Sequence, residues 1–136
     1  MALGDLLYEE TGQVTSVRVL PSDDGEVVTE VCVQTQGTIQ GVEENTIWTY
    51  TSRKRADGTM VGEGNGVTTT KDGEVINLTG TGAARATPPG EVIKYRGAVY
   101  FYSTSQKWAK LNGVAGVHEY DLNPDGSLVI KFYAWN

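Results

Sequence analysis

Hydrophobic and polar residues alternate along most of this chain, a pattern typical of β-strands with one buried face and one wet face. In the second predicted strand, for example, Val27, Val31 and Val33 share one face, while Glu30 and Gln34 lie on the other. A strand repeats its faces every two residues, so the alternation separates a core side from a solvent side. The pattern predicts eight strands, over residues 6–20, 26–40, 46–54, 59–71, 74–87, 92–104, 114–122 and 127–135.

Short turn signals separate the predicted strands. Asp57-Gly58 and Asp72-Gly73 are strong hairpin signals, because a type I′ turn needs positive φ at both central residues. Strands joined by such short turns form an antiparallel meander. Further breaks are predicted at residues 21–25, 41–45, 88–90 and 123–126, and residues 105–113 are the only segment with room for a helical turn.

Glycines recur at every second position of the fourth and fifth predicted strands, at Gly62, Gly64 and Gly66 and again at Gly80 and Gly82. Each set therefore leaves part of one strand face without side chains. Glycine inside a strand marks a bend, a bulge or a close approach, and a small closed barrel requires sharply curved strands. We predict an all-β fold, a closed eight-stranded antiparallel meander barrel that forms a single domain over residues 1–136.

Composition and charge exclude several classes of function. The formal net charge is −6 and no run of Lys or Arg occurs, so we expect no nucleic acid and no membrane as partner. Cys32 is the only cysteine, which rules out an internal disulfide and a cysteine metal cluster. The first residues lack the pattern of a signal peptide, so we expect a cytoplasmic protein. No phosphate loop, zinc spacing or dinucleotide fingerprint is present, and we expect neither a cofactor nor a metal.

Glu63 and Asn65 are candidate catalytic residues on the strand face opposite the glycines. If a ligand or another layer approaches the glycine face, these two side chains point away from it. If the glycines mark the convex outer corner of the barrel, the two side chains point inward. A carboxylate beside an amide in the lumen can then act as a general base or hold a polar group of a ligand. The alternative is a solvated glutamate on the outer face.

His118 is the only histidine and the third candidate catalytic residue. Glu119 and Tyr120 follow it, but neighbours on a strand face opposite ways, so His118 and Glu119 cannot both face the lumen. A lone histidine is a poor metal site, and the alternative is a histidine held by structural hydrogen bonds.

Cys32 has no basic neighbour in the sequence, and we interpret it as a small buried hydrophobic residue.

Aromatic residues supply candidate ligand-binding groups. Trp48 and Tyr50 share one strand face, and Tyr100 shares another with Tyr102. Aromatic walls with a few polar tips are what a pocket for an apolar ligand needs. We select Trp48, Tyr50 and Tyr100 as candidate ligand-binding residues, although the same residues can belong to the core or to an oligomer contact.

The last predicted strand has two distinct faces. We expect Leu128, Ile130 and Phe132 to point inward, because they form the apolar face of the alternation. Tyr133 and Trp135 then lie outside, in a subunit interface or an apolar surface patch.

The glycine-rich pair, VGEGNGVTTTKDG and NLTGTGAARA, is followed by YRGAVYFYSTSQKWAKLNGVAGVHEYDLNPDG and a strand that ends at Trp135. This arrangement resembles the allene oxide cyclase barrel-like proteins, in particular a branch of small bacterial proteins. The likeness rests on glycines, strand lengths and the KLNGVAG crossover, so no catalytic residue is carried over. The resemblance implies a closed eight-stranded barrel, a homodimer or homotrimer, and cyclisation or isomerisation of a bound hydrophobic substrate.

Two functional hypotheses follow. The first is a barrel that binds one small apolar molecule in its lumen and acts on it as a cofactor-free cyclase or isomerase. Its rate would come largely from fixing the reactive geometry of that molecule. The second is a non-enzymatic oligomeric module with a solid core. A lumen without space for even a few waters would favour the second.

Overall fold

The computed structural model describes residues 3–23 and 25–136 and has eight strands in a closed antiparallel barrel. Each strand pairs with the next in sequence, and the last pairs with the first. The predicted fold class is therefore confirmed. The strands are β1 Leu3–Leu20, β2 Val27–Ile39, β3 Val42–Lys54, β4 Met60–Thr70, β5 Val75–Ala84, β6 Ile93–Tyr102, β7 Ala115–Leu122 and β8 Ser127–Trp135.

Closure of the barrel depends on β1 and β8. Their antiparallel register runs from the pair Leu3 and Trp135 to the pair Gln13 and Ser127. The register between β1 and β2 shifts after Val14. From there to Leu20, β1 pairs with β2 but not with β8. The sheet consequently has no edge over most of its length.

The Asp-Gly pairs do form hairpins, but not with the type I′ turn expected from the sequence. At Asp57-Gly58 only the glycine has positive φ, and Gly58 N–H donates to Arg55 C=O at 2.9 Å. The loop is thus a β-turn followed by a left-handed glycine, the common three-residue hairpin. The loops at Gly73 and Gly126 repeat this arrangement.

The predicted break at residues 41–45 is wrong. Gln40 and Gly41 both have positive φ, at 43° and 84°, and they alone connect β2 to β3. β3 therefore begins at Val42, and Glu44 becomes a buried strand residue. Residues 42–45 are polar enough to suggest a loop, yet a strand in a barrel also holds polar side chains when partners exist inside.

One end of the barrel is filled by the connection between β6 and β7. The short 3₁₀ helix Ala109–Leu111 follows Trp108, and both Trp108 and Leu111 belong to the buried core. Asn112 holds the segment by accepting from Ser103 N–H at 2.7 Å and donating to Ser103 C=O at 2.9 Å. No helix among the described residues is long and apolar enough to cross a membrane.

The two faces of β8 lie as the alternation predicts. Leu128, Ile130 and Phe132 are buried in the core, whereas Trp135 is exposed and Tyr133 is partly exposed.

Candidate functional site

A cavity of about 60 Å³ lies inside the barrel. Its walls are aromatic and aliphatic side chains together with glycine backbone, and its polar groups are few. It is not sealed, since Tyr50 and His118 are each partly exposed. The lining residues include Val33, Trp48, Tyr50, Gly62, Gly64, Gly80, Gly82, Tyr95, His118, Tyr120, Ile130 and Phe132.

The glycine faces of β4 and β5 point inward and make room for large side chains. Trp48 lies over Gly66 and Gly80, where an added Cβ would come within 2.7 Å and 3.3 Å of the indole ring. His118 lies against Gly82 in the same way, with Cε1 at 3.1 Å from the position of an added Cβ. The bare glycine strip therefore serves as the surface on which the aromatic side chains of the lumen pack.

Three tyrosines cluster at one side of the cavity. Tyr50 and Tyr120 are edge to face, with ring centroids 5.8 Å apart, and their hydroxyl oxygens are 2.7 Å apart. Tyr95 stacks on Tyr120, and its hydroxyl lies 3.3 Å from Ser52 Oγ. Burial raises the pKa of Tyr50 and of Tyr120, because the charged phenolate loses its hydration. Both phenols are therefore neutral hydrogen-bond donors at neutral pH.

His118 projects into the same space from β7, two residues before Tyr120. Its Nε2 lies 2.8 Å from the carbonyl oxygen of Thr81. A carbonyl can only accept, so Nε2 carries the hydrogen and Nδ1 is left with a lone pair. Nδ1 is buried and has no hydrogen-bond partner among the described residues. Burial lowers the pKa of His118, which keeps the imidazole neutral and leaves Nδ1 unprotonated.

Three of the six residues selected from the sequence come together here. Trp48, Tyr50 and His118 all line the cavity. Tyr95 and Tyr120 were not selected, although the two-residue spacing between His118 and Tyr120 already indicated that they share a face.

The side chains of the other three selected residues point out of the lumen. Glu63 and Asn65 are exposed on the outer face of β4, because Gly62, Gly64 and Gly66 take the inner positions, so of the two placements that the sequence left open the outward one is adopted. Glu63 borders the cavity only as the residue between Gly62 and Gly64. Tyr100 is 53% exposed, since its neighbours on β6 face the core.

These outward residues share an open groove on the barrel surface. Register places Thr49, Asn65, Thr79 and Tyr100 in one row across β3 to β6, on the same outer face as Glu63. The groove is open to solvent and polar, so a reaction that needs exclusion of water is not favoured there.

Cys32 lies on the outer face of β2 and is half-buried rather than buried, with Sγ 3.2 Å from Thr49 Oγ1. Within residues 3–23 and 25–136, no group of three or more His, Cys, Asp or Glu side chains has an arrangement that could hold a metal ion. The acid–base groups whose side chains line the aromatic cavity are thus the imidazole of His118 and the hydroxyls of Tyr50, Tyr95 and Tyr120.

Neither a protein-family model nor a curated protein sequence matches this chain. Solved structures do match its fold over nearly the whole length of both chains. A protein of unknown function from Clostridium acetobutylicum has a TM-score of 0.83 at 14% identity and full coverage of both chains. A β-barrel-like protein from Acinetobacter baumannii has a TM-score of 0.81 at 14% identity, covering 97% of this chain and 94% of that one.

An enzyme from Penicillium herquei is also similar, with a TM-score of 0.72, 18% identity, and coverage of 98% of this chain and 96% of that one. At such low identity these similarities establish a shared barrel fold and nothing about substrate or reaction.

Proposed function

We propose that this protein binds one small, uncharged, largely apolar molecule in its barrel and acts on it by proton transfer, as a cofactor-free cyclase or isomerase. The observation that carries the proposal is the buried Nδ1 of His118, an acceptor without a partner among the described residues, on a side chain that lines the apolar cavity. A buried acceptor without a partner costs free energy, and this cost is recovered when a ligand donates to it.

The tyrosine pair supplies the complementary group. One hydroxyl of Tyr50 and Tyr120 donates to the other across 2.7 Å, which leaves the hydrogen of the second hydroxyl without an acceptor in the described part of the chain. A ligand oxygen can accept that hydrogen while His118 takes a proton from the ligand. His118 and Tyr120 thus place a base and a hydrogen-bond donor on the same face of β7, in a space with little water. This combination suits cyclisation or isomerisation of a neutral ketone, enone or phenol.

The size of the cavity limits the ligand. About 60 Å³ accommodates a few water molecules, less than the roughly 150 Å³ of a cavity that holds benzene. A ligand with a ring must therefore displace the Tyr50 side chain, which is already partly exposed, or extend past it into solvent. The cavity is also evidence against a fully solid core. Because the non-enzymatic alternative assumes a solid core, the cavity disfavours that alternative.

Membership in the allene oxide cyclase barrel-like group forms part of this proposal. The shared eight-stranded barrel, with an enzyme among its structural neighbours, is compatible with it. The proposed base is assigned from this chain's own residues, since His118 comes from β7 and is oriented by Thr81 of β5.

The experiment uses phenol and toluene as matched probes, of which only phenol has a hydroxyl. The His118 ring signals are followed by NMR, and mass spectrometry of the purified protein searches for a co-purified ligand. We expect phenol to bind more tightly than toluene and to shift the Nδ1 resonance, and we expect H118Q to remove that preference. If both probes bind equally, or if neither perturbs His118 while no ligand co-purifies, the proposal is refuted and the non-enzymatic module is favoured.

A further inference from the structure

Two glutamates are buried inside the barrel, outside the aromatic cavity. Glu10 on β1 is 1% exposed and Glu44 on β3 is 3% exposed. Neither has a salt-bridge partner among the described residues. Uncompensated carboxylates are very costly in such an environment, so this carboxyl pair, Glu10 and Glu44, requires a positive charge or a proton.

Gly37 is the reason why the two side chains meet. In the register, Glu10 lies opposite Gly37, and Gly37 lies opposite Glu44. Two strand spacings separate their Cα atoms by about 10 Å, and no side chain stands between them. Both glutamates can therefore lean across the glycine toward one another, and Glu44 is close enough to Glu10 to raise its pKa.

A directed chain of hydroxyl groups determines the role of Glu44. Thr46 Oγ1 donates to Glu44 Oε1 at 2.7 Å, which uses the only hydroxyl hydrogen of Thr46. Thr68, 2.7 Å from Thr46, must then be the donor in that contact, and Tyr8 in turn donates to Thr68 at 3.0 Å. Every hydrogen in the chain points toward Glu44, so Glu44 Oε1 is an acceptor and carries no hydrogen itself.

Glu10 is in the opposite situation. Both of its oxygens are buried, and within residues 3–23 and 25–136 no group donates a hydrogen bond to them or to Glu44 Oε2. A single hydrogen on Glu10, donated to Glu44 Oε2, satisfies a donor and an acceptor together and removes one of the two charges. We propose that the carboxyl pair is a buried proton-binding site, in which Glu10 carries one exchangeable proton and Glu44 holds it as a carboxylate.

The surroundings of Glu10 favour this assignment. Burial is the main reason why the pKa of Glu10 is raised, to about 9, and the hydrogen bond to Glu44 and its charge add to the effect. The other elements that face Glu10 bring no cation. Gly37 of β2 and Ile130 of β8 lie directly opposite Glu10, and the side chains that act on its pKa are Glu44 and Thr46 of β3 and Thr35 of β2.

The consequence is a barrel whose interior responds to alkaline pH. Loss of the proton places a second negative charge beside the first. Ile130, directly opposite Glu10, also lines the aromatic cavity, so the new charge lies next to that cavity. This inference does not depend on the proposed catalytic function.

The test begins with wild-type protein labelled with ¹³C at the glutamate carboxyl carbon, examined by infrared spectroscopy at pH 7. We expect the band of one protonated glutamate, present in the wild type and absent from E10Q. The exposed neighbours Glu9 and Glu43 provide matched controls, and E9Q and E43Q should retain the band.

The second measurement is urea unfolding between pH 6.5 and 8.5. As the pH rises, the folding equilibrium constant of the wild type should fall relative to that of E10Q, by about tenfold for each pH unit. The reason is that only the folded wild type holds the proton. E9Q and E43Q should follow the wild type. The proposal would be overturned if both glutamates were ionised at pH 7. It would also be overturned if added Ca²⁺, K⁺ or Na⁺ stabilised the wild type in place of the proton.

Discussion

The hydroxyl oxygens of Tyr50 and Tyr120 lie 2.7 Å apart inside the barrel, although 70 residues separate the two tyrosines in sequence. The contact joins β3 to β7, which are not neighbours in the sheet. It therefore spans the lumen and sets the width of the cavity beside His118.

This pair should behave as an energetic unit. We expect Y50F or Y120F alone to lower the free energy of unfolding by about 1 kcal/mol, because each leaves one buried hydroxyl without its partner. The double variant should lose less than the sum of the two, since it removes both polar groups together. Urea denaturation of the four proteins measures the coupling, and strict additivity would show that the contact contributes nothing.

The inward glycines should not tolerate even a methyl group. An added Cβ at Gly66 would lie 2.7 Å from Trp48 Cδ2, so we expect G66A to lower the free energy of unfolding by about 1–3 kcal/mol through overpacking. Alanine otherwise suits a strand better than glycine, so the expected loss of stability in G66A comes from the steric conflict alone.

Gly113 offers the matched control, because an added Cβ there meets nothing within 4 Å. We expect G113A to be neutral or slightly stabilising in the same denaturation experiment. A stable G66A protein with unchanged Trp48 fluorescence would contradict the packing of the indole on the glycine strip.

His118 should remain neutral over most of the physiological range. Burial lowers its pKa below the usual 6.5, so the unfolded chain takes up a proton at a pH where the folded protein does not. The stability associated with the neutral ring is thus fully present above about pH 6.5 and is lost as the pH falls through the folded-state pKa.

Since this is the only histidine, its ring signals in an NMR titration are unambiguous. We expect a midpoint below 6.5 and a hydrogen on Nε2. A hydrogen on Nδ1 would contradict the proposed base. The difference in stability between the wild type and H118Q should shrink as the pH is lowered from 7 to 5.

Trp108 should be a principal contributor to stability at the end of the barrel that it fills. It is 1% exposed, and the Nζ atoms of Lys107 and Lys110 lie 5.3 Å and 5.4 Å from its ring centroid. We expect W108A to lower the free energy of unfolding by about 3–5 kcal/mol, the usual cost of removing a buried tryptophan.

Trp135, at 61% exposure, is the control, and W135A should change the same quantity by less than about 0.5 kcal/mol. Equal losses in the two variants, measured by urea denaturation, would contradict the role of Trp108 as a buried plug.

The alternation of side chains was sufficient to predict eight strands. On β8, for instance, Leu128, Ile130 and Phe132 could be assigned to the core because a period of two leaves only one choice of face. The glycine repeat on β4 and β5 likewise indicated sharply curved strands. Such information is local, since it depends on neighbours two residues apart.

The site required the tertiary structure. Nothing near Glu63 or Asn65 in sequence reveals whether the glycine face points in or out, and that choice removed both from the lumen. Glu10 and Glu44 were overlooked because a glutamate is ordinarily exposed and Glu44 was assigned to a loop. Their burial becomes intelligible only when Gly37 is known to lie between them.

The sequence by itself determined which residues alternate, where most of the turns lie, and that the strands form an antiparallel meander, because these properties depend on contacts within and between strands adjacent in sequence. The glycine repeats made closure the expected outcome, but the pairing of β1 with β8 that achieves it joins the two ends of the chain. Only the tertiary structure decided which side chains face each other across the lumen. Such contacts join strands that are distant in sequence, as between Tyr50 and Tyr120, and their geometry depends on the stagger and curvature of the whole barrel.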